Sequence, residues 1–259
     1  MTAYFNNFGD GTPIGIQRMN AVKTSIECIN LEQAAGGSPS ETVAEIKVNA
    51  DSFFAAQNRA VTKEDYLTQV FSLPAKFGKV EKAYITPSEF NPYAVDLHVL
   101  TLDSNGWLVH PTPTLQGNIK TYFDRLRMVT EGINILPANV VNIGVNFGVV
   151  ISPQFNRSEV MTNCLRAMKE YLKTDNMSIG APLVLSDMEA TLQAILGVIS
   201  VYKFDVVSHF GTNPDTGLDY NQDVNFDVTG NTKNGIVYCP TDSVFEVRYP
   251  DVDLIGESK

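Results

Sequence analysis

The sequence is poor in the residues that build metal, redox and general-base chemistry. It holds three cysteines, three histidines and one tryptophan in 259 residues. Cys28, Cys164 and Cys239 lie too far apart for a zinc-site spacing or a Cys-x-x-Cys redox pair. They are expected to be reduced core thiols, with no disulfide. His98, His110 and His209 have no Cys, Asp or Glu at the spacing of a helical metal pair. There is no Gly-x-Ser-x-Gly elbow, Walker loop or His-Glu-x-x-His, so standard hydrolase, nucleotide and zincin chemistries lack support. No catalytic residue, cofactor site or metal site is expected, and the chain is read as not an enzyme.

Positive charge is scarce as well. Lysine and arginine number 19 against 29 acidic residues, a net charge of -10, which argues against nucleic-acid or anionic-membrane surfaces. No apolar run approaches the roughly 18 residues of a membrane span. Residues 1–15 also lack the basic start and apolar stretch of a signal peptide. The expectation is a soluble protein of a reducing cytoplasm whose partners are other proteins. Asp215, Asp219, Asp223 and Asp227 recur at every fourth position, but their order does not fit an EF-hand loop. Gly9-Asp-Gly11 and Gly36-Gly37 do not sit between a strand and a helix start, so they read as turns rather than phosphate cradles. Lys76, Lys79 and Lys82 lack an aromatic ladder and read as a solvated face.

What is present is the composition of a folding chain, 44% hydrophobic and 19% charged. Charge is uneven: residues 211–259 carry 9 acids and 3 bases, in a stretch rich in Gly, Asn and Thr turns. The reading is an N-terminal extension at 1–50 with one short helix (Met19 to Ala34), lobes at 51–138 and 139–210, and an acidic, turn-rich segment at 211–259. In the first lobe Thr62-Lys-Glu-Asp65 predicts a capping box and a helix stopped by Pro74 and Gly78. Strands follow over Lys79 to Thr86 and Ala94 to Leu102, then a turn at Asp103-Ser-Asn-Gly106 and an amphipathic helix over Thr114 to Val129. Gly132 to Pro137 reads as a loop between the lobes. In the second lobe a long strand over Asn139 to Pro153 leads to a helix capped by Asn156. A helix from Ser186 to Gly197 then hands over to a strand over Val198 to Val207.

Two pieces echo each other. Thr62-x-x-Asp65, a helix, Gly78-Lys-Val80 and a strand match Ser186-x-x-Glu189, a helix, Gly197-Val198 and a strand. Strands at Asp96 to Leu102 and Asn142 to Ile151 each lead into a long amphipathic helix. The fold class expected is α+β: two small related lobes, each with helices packed on a short mixed sheet, plus irregular N- and C-terminal extensions.

One run stands out: Phe53-Phe-Ala-Ala-Gln-Asn-Arg-Ala-Val-Thr-Lys-Glu-Asp-Tyr66, followed by Leu73-Pro-Ala-Lys-Phe-Gly-Lys-Val80. With Asn142-Ile-Gly-Val-Asn146, Gly197-Val198 and Val244-Phe-Glu-Val-Arg-Tyr-Pro250 in that order, it resembles the baseplate J-like and wedge proteins of contractile phage tails. The T-even-like branch is most similar, and this chain resembles the C-terminal part of its longer members. The resemblance implies a structural wedge component that pairs with a second copy as a homodimer and helps join wedges into a ring around the hub. It further implies other baseplate wedge proteins as partners, and a place in the virion tail baseplate after assembly in the host cytoplasm. Gln57, Asn58 and Arg59 form the candidate structural turn. Physically, a planar guanidinium at Arg59 can hold several carbonyls or a carboxylate and fix the entry to the first helix; the alternative is an ordinary surface arginine. Two other functions stay open. One is a hydrolase using scattered His and Asp residues. The other is a receptor- or glycan-binding tail module, which needs exposed aromatics such as Trp107 and Tyr220.

Overall fold

The computed structural model describes residues 59–74, 77–128, 131–214, 216–221 and 224–259, with 7–8, 12–13 and the helical positions 43, 46, 47, 50 and 54. The chain divides into two units, Met1–Ala34 and Ala35–Lys259. In the first, β1 (Asn7–Phe8) pairs antiparallel with β2 (Thr12–Pro13). The helix expected over Met19 to Ala34 lies outside the described residues.

In the second unit α1 (Lys63–Phe71) starts on the expected capping box. The Asp65 N–H donates to Thr62 Oγ1 at 3.2 Å and the Thr62 N–H to Asp65 Oδ2 at 2.9 Å, satisfying donors the helix leaves free. The backbone donors on its carboxylate, that of Thr62 foremost, hold Asp65 below the usual carboxylate range. Then come β3 (Lys82–Pro87), β4 (Ala94–Leu102), β5 (Leu108–Val109), α2 (Pro113–Phe123) and β6 (Gly132–Pro137). In the β4–β5 turn Asp103 Oδ1 accepts the N–H groups of Asn105 and Trp107 at 2.8 and 2.9 Å. Thr112 caps α2 and Pro113 opens it.

Helix α2 is shorter than the amphipathic pattern predicts. After Phe123 the chain tightens into turns that present the Leu126 carbonyl to Ala60 N–H at 2.9 Å. The stretch read as a loop, Gly132 to Pro137, is instead β6, parallel to β4 from Ala94↔Gly132 to Val99↔Pro137. Its bounding Gly and Pro read as breakers, while its pairing partner lies almost forty positions earlier, outside any local window. In this first sheet β4 is central, between β3 on one side and β5 and β6 on the other. One face, with Ile85, Leu97, Val99 and Ile133, packs on Tyr66 and Val70 of α1 and on Leu115, Ile119 and Phe123 of α2. The other face sends Leu100 and Leu108 into the core of the second sheet.

The second sheet is built on β7 (Asn139–Ile151), followed by α3 (Arg157–Tyr171), β8 (Leu183–Val184), α4 (Leu185–Gln193) and β9 (Val198–His209). Strand β9 runs antiparallel to β7. Asn156 caps α3 as expected, with Oδ1 accepting Ser158 N–H. At α4 the capping position is Val184, which makes no side-chain bond, so Ser186 lies inside the helix rather than before it. Val160, Cys164 and Met168 of α3 and Met188 and Leu192 of α4 are buried with Ile143, Val145, Phe147 and Val149 of β7.

Residues 211–259, read as an irregular extension, are turn-rich at first but also complete this sheet. After α5 (Val228–Asn231), β10 (Thr232–Lys233) and β11 (Ile236–Val237) form a small sheet with β8. Then β12 (Ser243–Glu246) and β13 (Leu254–Ser258) run parallel to β7 along its other edge. These strands are short and their partner precedes them by about a hundred residues, so turn signals dominate the local sequence.

The sequence echo has a structural counterpart. At each of the two larger sheets a short helix runs through a left-handed glycine into a strand antiparallel to the strand that feeds the long helix. Gly78 (φ 110°) follows α1 and Gly197 (φ 100°) follows α4. A Cβ at Gly78 would meet Leu115 of α2 at 2.7 Å, and one at Gly197 would meet Val160 of α3 at 2.9 Å. Chain order differs between the sheets: α1–β3 precedes β4–α2 at the first, whereas α4–β9 follows β7–α3 at the second.

Candidate functional site

The most concentrated polar chemistry lies where the two sheets meet. Every residue of β12 is buried, including Glu246 at 2% exposure. Its carboxylate leaves its own sheet: Oε1 accepts the Leu108 N–H of β5 at 2.7 Å, and Oε2 accepts Asn142 Nδ2 of β7 at 3.0 Å. Burial pushes the Glu246 carboxyl above the usual glutamate range, against the opposing pull of these two donors and of Arg248. Asn142 Oδ1 accepts the Asn221 N–H at 2.7 Å, and Arg248 Nη1 donates to Asn221 Oδ1. The Arg248 guanidinium also lies 4.6 Å from the centre of the Trp107 ring.

The seam continues through aromatics. Trp107 meets Tyr249 edge-on at 5.2 Å, and Tyr249 meets Tyr220 edge-on at 5.4 Å. The Tyr220 hydroxyl and the Tyr249 N–H both donate to the buried Asp253 carboxylate. The Asp253 carbonyl takes Val145 N–H at 2.8 Å. His209 stacks on Tyr220 at 4.7 Å, with Nε2 3.8 Å from Asp253 Oδ1. Gly144 makes room for this arrangement, because a Cβ there would come within 2.6 Å of His209 Nε2 and 2.9 Å of the Asp253 carbonyl. Lys82 of β3 adds a second long-range tie, its Nζ donating to the Asp175 carbonyl beyond α3 at 3.2 Å, and burial lowers its pKa.

Of the candidate turn, Gln57 and Asn58 lie outside the described residues. Arg59 is exposed; its positive charge helps lower the Asp65 pKa, and it makes no hydrogen bond to a described residue. The bonds around the entry to α1 come from elsewhere. Ala60 is fully buried and forms a parallel bridge with Arg127. Arg127 donates to the Glu131 carbonyl and, at 3.0 Å, to Asp124 Oδ1. The Tyr66 hydroxyl donates to Glu131 Oε2 at 2.7 Å, which with burial raises its pKa. Arg127 and Glu246 are the bonded residues of these joints that the sequence does not single out. The only signal at Glu246 was a charge inside the apolar run Val244-Phe-Glu-Val.

The histidines do not converge. His98 Nε2 pairs with Thr86 Oγ1 at 3.2 Å, His110 is exposed in a loop, and His209 lies beside the Asp253 carboxylate. The cavities lined by residues 88–136, 169–254, 146–257 and 230–238 do not include His209 or Asp253 among their walls. Trp107 is half-buried and Tyr220 is buried at 4% exposure, so neither offers a stacking face in an open groove. Of the spaced acids, Asp215 and Asp223 lie outside the described residues, and Asp219 takes the Thr212 hydroxyl at 2.7 Å. Among the described residues no group of three metal-ligating side chains occurs, and no helix is long and apolar enough to cross a membrane. Cys164 is buried and Cys239 half-buried, both as free thiols. Burial pushes the Cys239 thiol up to about 12, which leaves it inert. Cys28 lies outside the described residues.

No family model matches the sequence, and no curated protein matches it. A solved structure does: a chain of the anti-feeding prophage baseplate, determined by cryo-EM and six-fold symmetrised, is similar with a TM-score of 0.50 at 13% identity. The match covers 81% of this chain and 42% of that one, so this chain spans less than half the length of its structural relative. At that identity the likeness is one of fold: this chain shares the α+β architecture of part of a contractile-injection baseplate subunit.

Proposed function

We propose that this chain is a structural component of a contractile-tail baseplate wedge that pairs with a second copy and helps join wedges into a ring around the hub. The observation that carries the reading is the fold shared with the anti-feeding prophage baseplate chain over 81% of the sequence. The described chemistry fits such a role. Buried carboxylates and aromatics tie two sheets together, and a subunit that transmits force gains from a rigid joint of this kind. The lobes divide at Ala138, between β6 and β7, and Gln57 to Arg59 form the structural turn entering the first. The site is read as not enzymatic: Asp253, the carboxylate beside His209, is consumed by backbone and tyrosine hydrogen bonds. The partners are a second copy and other wedge proteins, and the location is the tail baseplate of an assembled particle.

Sedimentation of the purified chain, alone and with the other wedge proteins of its system, tests the reading. A two-fold dimer that enters a larger wedge complex is expected. A strictly monomeric species at tens of micromolar, indifferent to those proteins, would overturn it.

A further inference from the structure

Among the described residues no strand pairs with the outer edge of β6. The Gly132 N–H donates to the Tyr93 carbonyl at 2.8 Å and the Ala138 N–H to the Val99 carbonyl at 3.2 Å, so even-numbered positions of β6 face β4. By the alternation of a parallel ladder, the N–H groups of Ile133 and Ile135 and the carbonyls of Ile133, Ile135 and Pro137 point away from it. None of these groups is bonded to a described residue. They face a groove of about 620 Å³ whose far wall is α2, through Gln116, Gly117 and Lys120. A Cβ at Gly117 would have nothing within 4 Å, so the wall is open there. At the groove's end stands Phe90, 96% exposed, with Tyr93 nearby at 72%, the kind of aromatic that anchors interfaces.

We propose that this groove takes an extended segment of another polypeptide, added as a further strand on β6 and carrying an acidic side chain opposite Lys120. The strand character follows from the edge itself, because only an extended backbone meets outward donors and acceptors at a two-residue repeat. The acid follows from charge. Lys120 is exposed, is the cation on the groove walls, and has no ion-pair partner among the described residues, whereas the wall carboxylate of Asp96 is already held by Asn134 Nδ2 at 2.7 Å. A second copy fits less well: two-fold pairing of β6 with itself would bring both α2 helices, and both Lys120 ammonium groups, against each other on one face.

The test uses the full chain, 15N-labelled, and a blocked hexapeptide Thr-Val-Glu-Val-Thr-Val as probe. Its twin is N-methylated on the amides of both edges, so that neither edge can donate. The expected result is a downfield shift of the Ile133 and Ile135 amide protons on titration, loss of binding with the twin, and weakening by about tenfold or more in Lys120→Glu. Lys120 is exposed, and unchanged resonances elsewhere certify the variant's fold. Absent shifts at Ile133 and Ile135 up to millimolar peptide, or equal binding of the twin, would overturn the strand. Equal binding by Lys120→Glu would overturn the acidic partner. A concentration-dependent dimer of the free chain that buries the Ile133 and Ile135 amides would make a second copy the occupant and overturn the proposal.

Discussion

Glu246 of β12 accepts the backbone N–H of Leu108, 138 positions earlier in the chain, at 2.7 Å. That one bond joins the two sheets through a carboxylate that is almost wholly out of water. A buried carboxylate is costly unless its donors are in place, so each partner depends on the other.

Replacing Glu246 by Ala should therefore be severe. It leaves the Leu108 N–H and Asn142 Nδ2 unpaired in a dry interface, at about 1–3 kcal/mol for each buried unsatisfied group. Urea unfolding is expected to show a loss of about 3 kcal/mol, with Glu246→Gln less affected because its amide oxygen can still serve Leu108. A loss below about 0.5 kcal/mol in the Ala variant would show that water replaces the carboxylate and that the joint is not dry.

The same residue gives a pH signature. Burial raises the Glu246 pKa in the folded protein, so between the unfolded glutamate value, about 4.3, and that raised value the native state binds more protons than the unfolded one. The contribution of Glu246 to stability then falls as pH rises through this window and recovers as pH drops. Glu246→Gln lacks this slope. The stability of the Gln variant relative to the parent should accordingly increase from acid toward neutral pH, measured by urea unfolding at several pH values. A constant difference would show that the donors on the carboxylate outweigh its burial.

The repeat of a left-handed glycine before β3 and before β9 gives a third prediction. Gly78 and Gly197 hold φ of 110° and 100°, a region closed to other residues at low cost. Alanine should destabilise at both, by about 1–3 kcal/mol from the backbone alone. The larger loss is expected at Gly197, where a Cβ meets Val160 and also the Phe155 ring at 3.0 Å; at Gly78 the obstacle is the flexible end of Leu115. Thermal unfolding of the two variants orders them, and equal or reversed losses would mean that the packing around Gly197 relaxes more readily than around Gly78.

Legibility in the sequence followed the range of the interaction. The Thr62–Asp65 capping box, the Asn156 cap and the strand over Ala94 to Leu102 are written within a few residues, and each is where the pattern puts it. β6, β12 and β13 exist because β4 and β7 offer parallel edges far away in the chain, and a short strand between turn residues carries no local mark of its partner. The Glu246 joint was hidden for the same reason. Its acid is unremarkable in sequence, and only the approach of Leu108, Asn142 and Arg248 in space gives it a role. Arg59 reads as a planar cation beside a helix start; the bonds described there are the Thr62–Asp65 capping box and the Ala60 N–H to the Leu126 carbonyl, next to Arg127, which arrives from the turn after α2.

That contrast can be measured. Arg127→Ala removes the donors to the Glu131 carbonyl and Asp124, and loosens the strand-like bridge to Ala60, so its thermal midpoint should fall by an amount worth about 1–3 kcal/mol. Arg59→Ala removes an exposed cation whose described influence is a long-range pull on Asp65, worth less than about 1 kcal/mol at the surface. A small change in midpoint is expected. If ring joining nonetheless fails in Arg59→Ala, the guanidinium acts at a contact between subunits. If instead its midpoint falls as far as that of Arg127→Ala, Arg59 is the structural pin of the proposed turn, and the bonds of Arg127 are secondary to it.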